Sequence, residues 1–165
     1  MAAVLGPGVA AYTAALLSDT AVPAWHEAHR EMPYLFVSSA ATAAGGLGLV
    51  LAPSEQSWPA RNLAVLGAAA ELVAKSMLLQ RLGRTADPYQ SGRAGKLMEV
   101  AEILTASGLT AAALGGRNRT VAALAGTALV ASSAFTRFGV FFAGLESARD
   151  PQYTVVPQRE RRKNS

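Results

Sequence analysis

Five long apolar runs dominate this 165-residue chain, and short polar connections separate them. The runs cover residues 2–22, 33–52, 61–82, 97–115 and 120–145. Each has roughly 19 to 26 residues, close to the ~20 that a helix needs to cross a ~30 Å hydrocarbon core. Proline or glycine lies in every break between runs, where helices are expected to end. The pattern predicts an all-α bundle of about five transmembrane helices within residues 1–147, followed by a basic tail over 148–165.

Composition distinguishes a bundle in lipid from a bundle in water. Apolar residues make up 51% of the chain and charged residues only 16%. The mean hydropathy of +0.23 is modest because many of the apolar residues are alanine and glycine, which pack helices closely. A water-soluble, alanine-rich bundle is the alternative, but five helices that are apolar all round would leave almost nothing to face water. We therefore expect the helices to lie in a membrane.

The basic residues give an orientation. Only Lys75 and Arg137 fall well inside long runs, and the other thirteen lie at the ends of runs, between runs or in the tail. With five spans, one side carries three of these, Arg61, Arg117 and Arg119. The other side carries ten, Arg30, Arg81, Arg84, Arg93, Lys96, Arg149, Arg159, Arg161, Arg162 and Lys163. The positive-inside rule therefore predicts an external amino terminus and a cytoplasmic carboxyl tail, and the scatter of charge over run ends disfavours nucleic-acid binding.

The chain has no cysteine. Disulfides, thiolate ligation of an iron–sulfur cluster and covalent attachment of a c-type haem are therefore excluded for this chain. Any redox centre must be held by other residues or by a partner. No positive region precedes the first apolar run, so we expect no cleaved signal peptide.

Several ionisable side chains lie within or beside the predicted spans. Glu71 is predicted nearest the midplane of the membrane. The predicted orientation places five others in the cytoplasmic half: Asp19, Lys75, Glu99, Glu102 and Arg137. An ionised side chain at the centre of a lone helix costs about 2.5–3.5 kcal/mol even on the lenient insertion scale, so these groups should face each other or water. One interpretation is structural pairing, Glu71 with Lys75 and Asp19 with Arg137, and interfacial positions for Glu99 and Glu102. The other is a proton relay or contact with a quinone headgroup.

The polar turn after the first run holds His26 and His29. A metal would need a third ligand, such as Glu27 or Glu31, and nothing in the spacing specifies one. The spacing also disfavours a b-type haem, whose two axial histidines usually come from separate helices. We predict no metal site and no catalytic residue in this chain.

Aromatic and small residues predict how the helices sit and pack. Four aromatic residues lie near the ends of runs and are expected to be interface anchors: Trp25, Tyr34, Trp58 and Tyr89. Small residues at helical spacing are expected at helix contacts: Ala40, Ala44 and Gly48; Gly67 and Ala74; Gly108 and Ala112.

Three segments carry a family resemblance. They are ALLSDTAVPAWHEAHREMPYLF, the following SSAATAAGGLGLVLAP, and the closing TRFGVFFAGLESARDPQYTVVPQRER. Together they resemble the NrfD/polysulfide-reductase (PsrC-like) integral membrane subunits of actinobacterial type. The resemblance covers nearly the whole chain and corresponds to the carboxyl-terminal half of the longer family members.

The resemblance implies a non-catalytic subunit in a bacterial cell membrane. Such a subunit anchors a molybdopterin catalytic subunit and an iron–sulfur subunit, and exchanges electrons with menaquinone or ubiquinone at a complex interface, in some complexes with proton movement. It also implies an amino-terminal membrane half as a further partner, besides membrane lipid. The candidates for quinone contact or a proton path fall into two groups. Four lie in the matching motifs and are implied by the resemblance: Asp19, His26, Glu27 and Arg137. The other four are inferred from their spacing alone: Glu71, Lys75, Glu99 and Glu102. The alternatives are a small transporter or channel component, or a structural membrane helper without a redox site.

Overall fold

The computed structural model describes residues 2–115 and 118–150. Regular structure in this part of the chain is entirely helical, which confirms the prediction of an all-α bundle of about five spans. The helices are α1 (Ala2–Ser18), α2 (Pro23–Glu27), α3 (Met32–Leu51), α4 (Trp58–Leu82), α5 (Asp87–Gln90), α6 (Gly92–Leu114) and α7 (Arg119–Arg149). Short 3-10 turns at Ser54–Gln56 and Gly83–Ala86 flank α4.

Four of the helices, α3, α4, α6 and α7, are long and apolar enough to cross a membrane. Helix α1 is also apolar but has only 17 residues, about 25 Å at 1.5 Å per residue. It ends at Ser18 rather than at residue 22. The helix cannot continue through residue 22, because Val22 precedes Pro23 and takes an extended conformation. Helices α6 and α7 extend beyond the predicted runs because their polar ends remain helical. Most of the predicted basic tail, residues 151–165, lies outside the described residues.

Helices α3, α4, α6 and α7 form a closed four-helix ring. Helix α3 packs on α4 and α7, and α6 packs on the other side of α7 and on α4. Helix α1 lies outside this ring, against α3. Short connections make successive long helices antiparallel, so α2, α5 and the end of α7 meet at one end of the bundle, here called the α2 end.

Glycines allow the closest helix contacts. A Cβ atom at Gly45 would collide with the backbone of Ala60 and Ala64 in α4, and one at Gly46 would collide with the carbonyl of Gly126 in α7. Of the three small residues predicted at helix contacts of α3, Gly48 is confirmed, since its Cβ would lie 2.6 Å from Ala60 Cβ, whereas Ala44 is exposed and its prediction is wrong. Spacing of four could not separate these faces, because alanine and glycine occupy both.

Other predicted small-residue contacts are confirmed. A Cβ atom at Gly67 would meet the α3 backbone at Ala41 and Thr42, and one at Gly108 would meet Leu129 of α7. Because lipid gives no hydrophobic drive for helix association, such close backbone approach is a main source of stability in a membrane bundle.

Two arginines cap helix ends opposite the α2 end. The guanidinium group of Arg61 donates to the carbonyl of Ala112 near the end of α6. Arg119 donates to the carbonyls of Leu49, at 2.8 Å, and Val50 near the end of α3. The last carbonyls of a helix have no partner within the helix, and a cation there also offsets the helix dipole. Both side chains therefore stabilise the bundle directly.

Substituting Gly126 with alanine tests the α3–α7 contact. We expect Gly126→Ala to lower the free energy of unfolding by about 1–3 kcal/mol, because its Cβ would overlap the Gly46 carbonyl. Gly6→Ala is the matched control, since its Cβ would meet nothing within 4 Å and alanine favours the helix by about 1 kcal/mol. Unfolding of both variants in the same detergent micelles measures the difference. Equal stability of the two would contradict the packing.

Candidate functional site

The turn between α1 and α3 is fastened to the end of α7. Trp25 Nε1 donates to the carbonyl of Val140 at 2.8 Å, and the indole ring occupies the space that a side chain at Gly144 would need. The backbone N–H of Ala24 donates to Ser147 Oγ at 3.2 Å. The Trp25 ring therefore explains why position 144, in the closing motif, is a glycine.

Tyr89 of α5 fastens the same turn from another side. Its side chain is only 1% exposed, and its hydroxyl donates to the carbonyl of Ala24 at 2.9 Å. Burial raises the pKa of Tyr89, so the phenol remains a donor at neutral pH. Tyr89 is therefore a buried contact between helices and not the interface anchor that its position predicted, whereas Trp25 is half-buried against α7. Tyr34 and Trp58 are 73% and 69% exposed, as interface anchors require.

An ion pair closes the α2 end. Arg81 Nε lies 2.6 Å from Glu31 Oε1, and another nitrogen of the same guanidinium donates to the carbonyl of Glu27. Glu31 is nearly buried, at 9% exposure, and the pair joins the end of α4 to the start of α3. From the sequence, Arg81 was interpreted only as a topology signal and Glu31 only as a possible metal ligand.

The two histidines face outward. His26 and His29 are both exposed, and His29 Nδ1 lies 2.9 Å from the carbonyl of His26. Within residues 2–115 and 118–150, no group of three or more histidine, aspartate or glutamate side chains is placed to hold a metal. The contacts of the turn instead come from the side chains of Trp25 and Glu31 and from the backbone of Ala24 and Glu27.

Glu71 lies in the middle of α4 and points into the four-helix ring, where its side chain is 3% exposed. Thr136 Oγ1 of α7 donates to Glu71 Oε1 at 2.9 Å. The hydroxyls of Ser39 and Thr42 on α3 face the same carboxyl group. These side chains, with Ser133, form a polar cluster around Glu71, which we call the Glu71 cluster.

One oxygen of the Glu71 carboxyl group has no hydrogen-bond partner among the described residues. Among the described residues, Glu71 Oε2 is buried without a hydrogen bond. In this geometry Thr42 donates to the carbonyl of Ser38 at 2.9 Å, and Ser39 shares a hydrogen bond of 2.8 Å with Ser133. A hydroxyl can rotate between acceptors. The Glu71 cluster therefore has more than one hydrogen-bond arrangement available with the same heavy-atom positions.

Lys75 pairs with α6 and not with Glu71. Its Nζ lies 2.6 Å from Glu102 Oε2 and 2.8 Å from the carbonyl of Met98. The lysine side chain is 12% exposed and that of Glu102 is 57% exposed, so the pair is partly solvated or lipid-facing. The predicted pairing of Glu71 with Lys75 is wrong because Lys75 points across the α4–α6 contact.

Arg137 follows Thr136 on α7 and is close enough for its charge to act on Glu71, whereas Asp19 and Glu99 lie on the surface. Asp19 is exposed just beyond α1, and Glu99 is exposed on α6. Arg137 is also exposed, and its guanidinium carbon lies 5.2 Å from the centre of the Phe36 ring. Ion pairs within the described residues do not include Asp19 or Arg137, so the predicted pairing of these two is wrong.

The hydroxyl side chains of the Glu71 cluster were not predicted from the sequence. Ser39 and Thr42 are three residues apart on α3, and Ser133 and Thr136 are three apart on α7. This spacing puts each pair on one helix face, inside runs where other polar residues are few. Two such pairs in the apolar runs were the available signal, although it did not say that they face Glu71.

A valine at position 136 tests the Glu71 contact. We expect Thr136→Val to lower the free energy of unfolding by about 1 kcal/mol, because it removes the donor to a buried carboxyl group. The matched control is Thr105→Val, whose buried hydroxyl donates only to the carbonyl of Ala101 in its own helix. A double-mutant cycle with Glu71→Leu, which removes the acceptor, should give a coupling of at least about 0.5 kcal/mol for Thr136 when unfolding is measured in detergent. Additive effects of Thr136→Val and Glu71→Leu would contradict the contact.

Together these groups give the bundle a line of titratable residues along α4. Arg81 with Glu31 lies at the α2 end, Lys75 with Glu102 follows, and Glu71 lies deepest. Ionisable groups at this depth of a membrane bundle are candidates for a functional site. Comparisons of the chain with protein-family models, curated proteins and solved structures give no match.

Proposed function

We propose that this chain is a membrane-anchor, quinone-interacting subunit of a molybdopterin-type oxidoreductase complex. In this role it holds an iron–sulfur partner at a bacterial cell membrane and helps electrons pass between that partner and menaquinone or ubiquinone. Four helices of membrane-spanning length support the anchor role, and the resemblance of the segments around Trp25 and Arg137 supports the class of complex. The metal chemistry belongs to the partners, since this chain has no cysteine to ligate a cluster.

The observation that carries the proposal is the buried carboxyl group of Glu71. A group that ionises is expensive at the depth of a bundle and marks a functional path by default. A purely structural polar contact would be made as well by a glutamine. Glu71 is instead surrounded by hydroxyl groups that can donate or accept, which favours a group that gains and loses a proton.

The spacing along α4 suggests the route. Glu71 and Lys75 are one turn apart, about 6 Å along the axis, and Lys75 and Arg81 are about 9 Å apart. Protons would enter at the α2 end, near Glu31 and Arg81, and reach Glu71 past Glu102 and Lys75. By the positive-inside rule this end is cytoplasmic. The alternative of structural neutralisation is favoured at two ion pairs, Lys75–Glu102 and Glu31–Arg81.

Purification from native membranes tests the anchor role. The tagged full chain, extracted in a mild detergent, should carry molybdenum and iron in fixed ratio to protein, measured by elemental analysis. A matched extraction in a harsh detergent should release both metals while the chain remains. A chain that purifies from the mild extract without molybdenum or iron would reject the proposal and favour a transporter component or structural helper.

Glu71→Gln tests the proton path. Glutamine keeps an acceptor for Thr136 but cannot ionise. Quinol-linked turnover of the complex should therefore fall by at least about tenfold, since general acid–base catalysis typically contributes about a hundredfold or more. Assembly, followed by the molybdenum content, should not change. Glu99→Gln is the matched control, because Glu99 is exposed on α6 and should leave turnover at the wild-type rate. Normal turnover in Glu71→Gln would reject the relay and leave the anchor role standing.

A further inference from the structure

A groove runs along the outer surface of the bundle between α3 and α4. Its volume is about 660 Å³. Small residues form its floor, among them Ser38, Ala41 and Gly67, because α3 and α4 approach closely where Gly67 meets the α3 backbone. Larger apolar side chains of α4, such as Leu66 and Met77, form a wall, and each is more than half exposed. The groove thus opens sideways toward the surroundings of the bundle.

The mouth of the groove lies at the α2 end and carries a net positive charge. Arg30, Glu31 and Tyr34 line it. Glu31 is neutralised by Arg81 at 2.6 Å. Arg30 is exposed, and within the described residues its guanidinium has no ion pair or hydrogen bond. One cation is therefore uncompensated at the point where an apolar groove reaches the membrane interface.

The groove has the length of a lipid chain. From Leu63 to Met77 it follows fourteen residues of α4, about 21 Å at 1.5 Å per residue. One leaflet of a ~30 Å hydrocarbon core is about 15 Å deep. A chain that begins at the mouth can therefore lie in the groove through its whole leaflet. Tyr34, 73% exposed, is in the position of an aromatic residue at headgroup level.

We propose that this groove binds an anionic phospholipid, with one acyl chain along α3 and α4 and the phosphate on Arg30. Basic sites between helices on the cytoplasmic side are typical places for anionic headgroups. The unpaired charge of Arg30 decides between occupants, because a quinone headgroup or the apolar face of another helix would leave it unmatched. This inference does not depend on the proposed redox role.

Native mass spectrometry of the delipidated full chain tests the site. The probes are phosphatidylglycerol and phosphatidylcholine with the same acyl chains. We expect one phosphatidylglycerol to be retained, with an affinity about fivefold above that of phosphatidylcholine, the effect of one basic residue at the surface. Arg30→Gln should remove this preference and Arg30→Lys should keep it. Arg149→Gln is the matched control, an exposed arginine at the same end outside the groove.

A second pair of variants tests the apolar part. Ala70 is exposed in the groove, whereas Ala134 is exposed on α7 outside it. Ala70→Phe should fill the groove and reduce retention of both lipids, and Ala134→Phe should change neither. If Ala70→Phe is not helical by circular dichroism, the smaller Ala70→Leu replaces it. Equal binding of the two lipids to the wild-type chain, an equal loss in Arg149→Gln, or displacement of phosphatidylglycerol by an equimolar long-chain quinone would overturn the assignment.

Discussion

The close approach of α3 and α7 at Gly46 and Gly126 sets the interior of this bundle. Neither glycine tolerates a Cβ atom without a collision with the facing backbone. Seven residues away on each antiparallel helix, Ser39 and Ser133 share a hydrogen bond of 2.8 Å. Seven residues are two turns, about 10.5 Å, and return to nearly the same face. The glycine contact thus fixes the helix separation at which two short hydroxyl side chains can meet, and the Glu71 cluster depends on that separation.

The bundle shelters its polar groups in two different ways. Near the α2 end, charges pair with opposite charges, as in Glu31–Arg81, where one side chain is largely buried and the other is accessible. At mid-depth, Glu71 meets hydroxyl groups, forms no ion pair among the described residues, and interacts with the charge of Arg137 only at longer range. Hydroxyls can turn to donate or accept, whereas a cation would hold the carboxyl group in one charge state. The deeper arrangement is therefore the one suited to proton exchange, while the outer pair ties helices together.

Run length and helix breakers predicted the helical segments because they report where a chain can cross lipid. Partner choice was not predictable in the same way, since spacing of four defines a face but not which helix lies opposite it. Lys75 therefore reaches Glu102 of α6 rather than Glu71 on its own helix. The short helices α2 and α5 carry too few residues to form a hydropathy signal, so the hydrogen bonds that Trp25 and Tyr89 make to neighbouring segments were not predictable from the sequence.

Helix α4 separates the two candidate sites of the molecule. Glu71 faces the interior of the ring, while its neighbours Ala70 and Val73 face the outer groove. The two sites share Gly67, which lines the groove and also contacts the backbone of α3 at Thr42, itself part of the Glu71 cluster. A molecule in the groove can therefore act on Glu71 through the α3–α4 spacing that Gly67 sets, or through Ser38, which lines the groove and whose carbonyl accepts the hydrogen bond of Thr42. Close-packed interfaces resist small displacements. A substitution of a side chain that lines the outer groove should therefore leave the surroundings of Glu71 unchanged, and the reverse also holds.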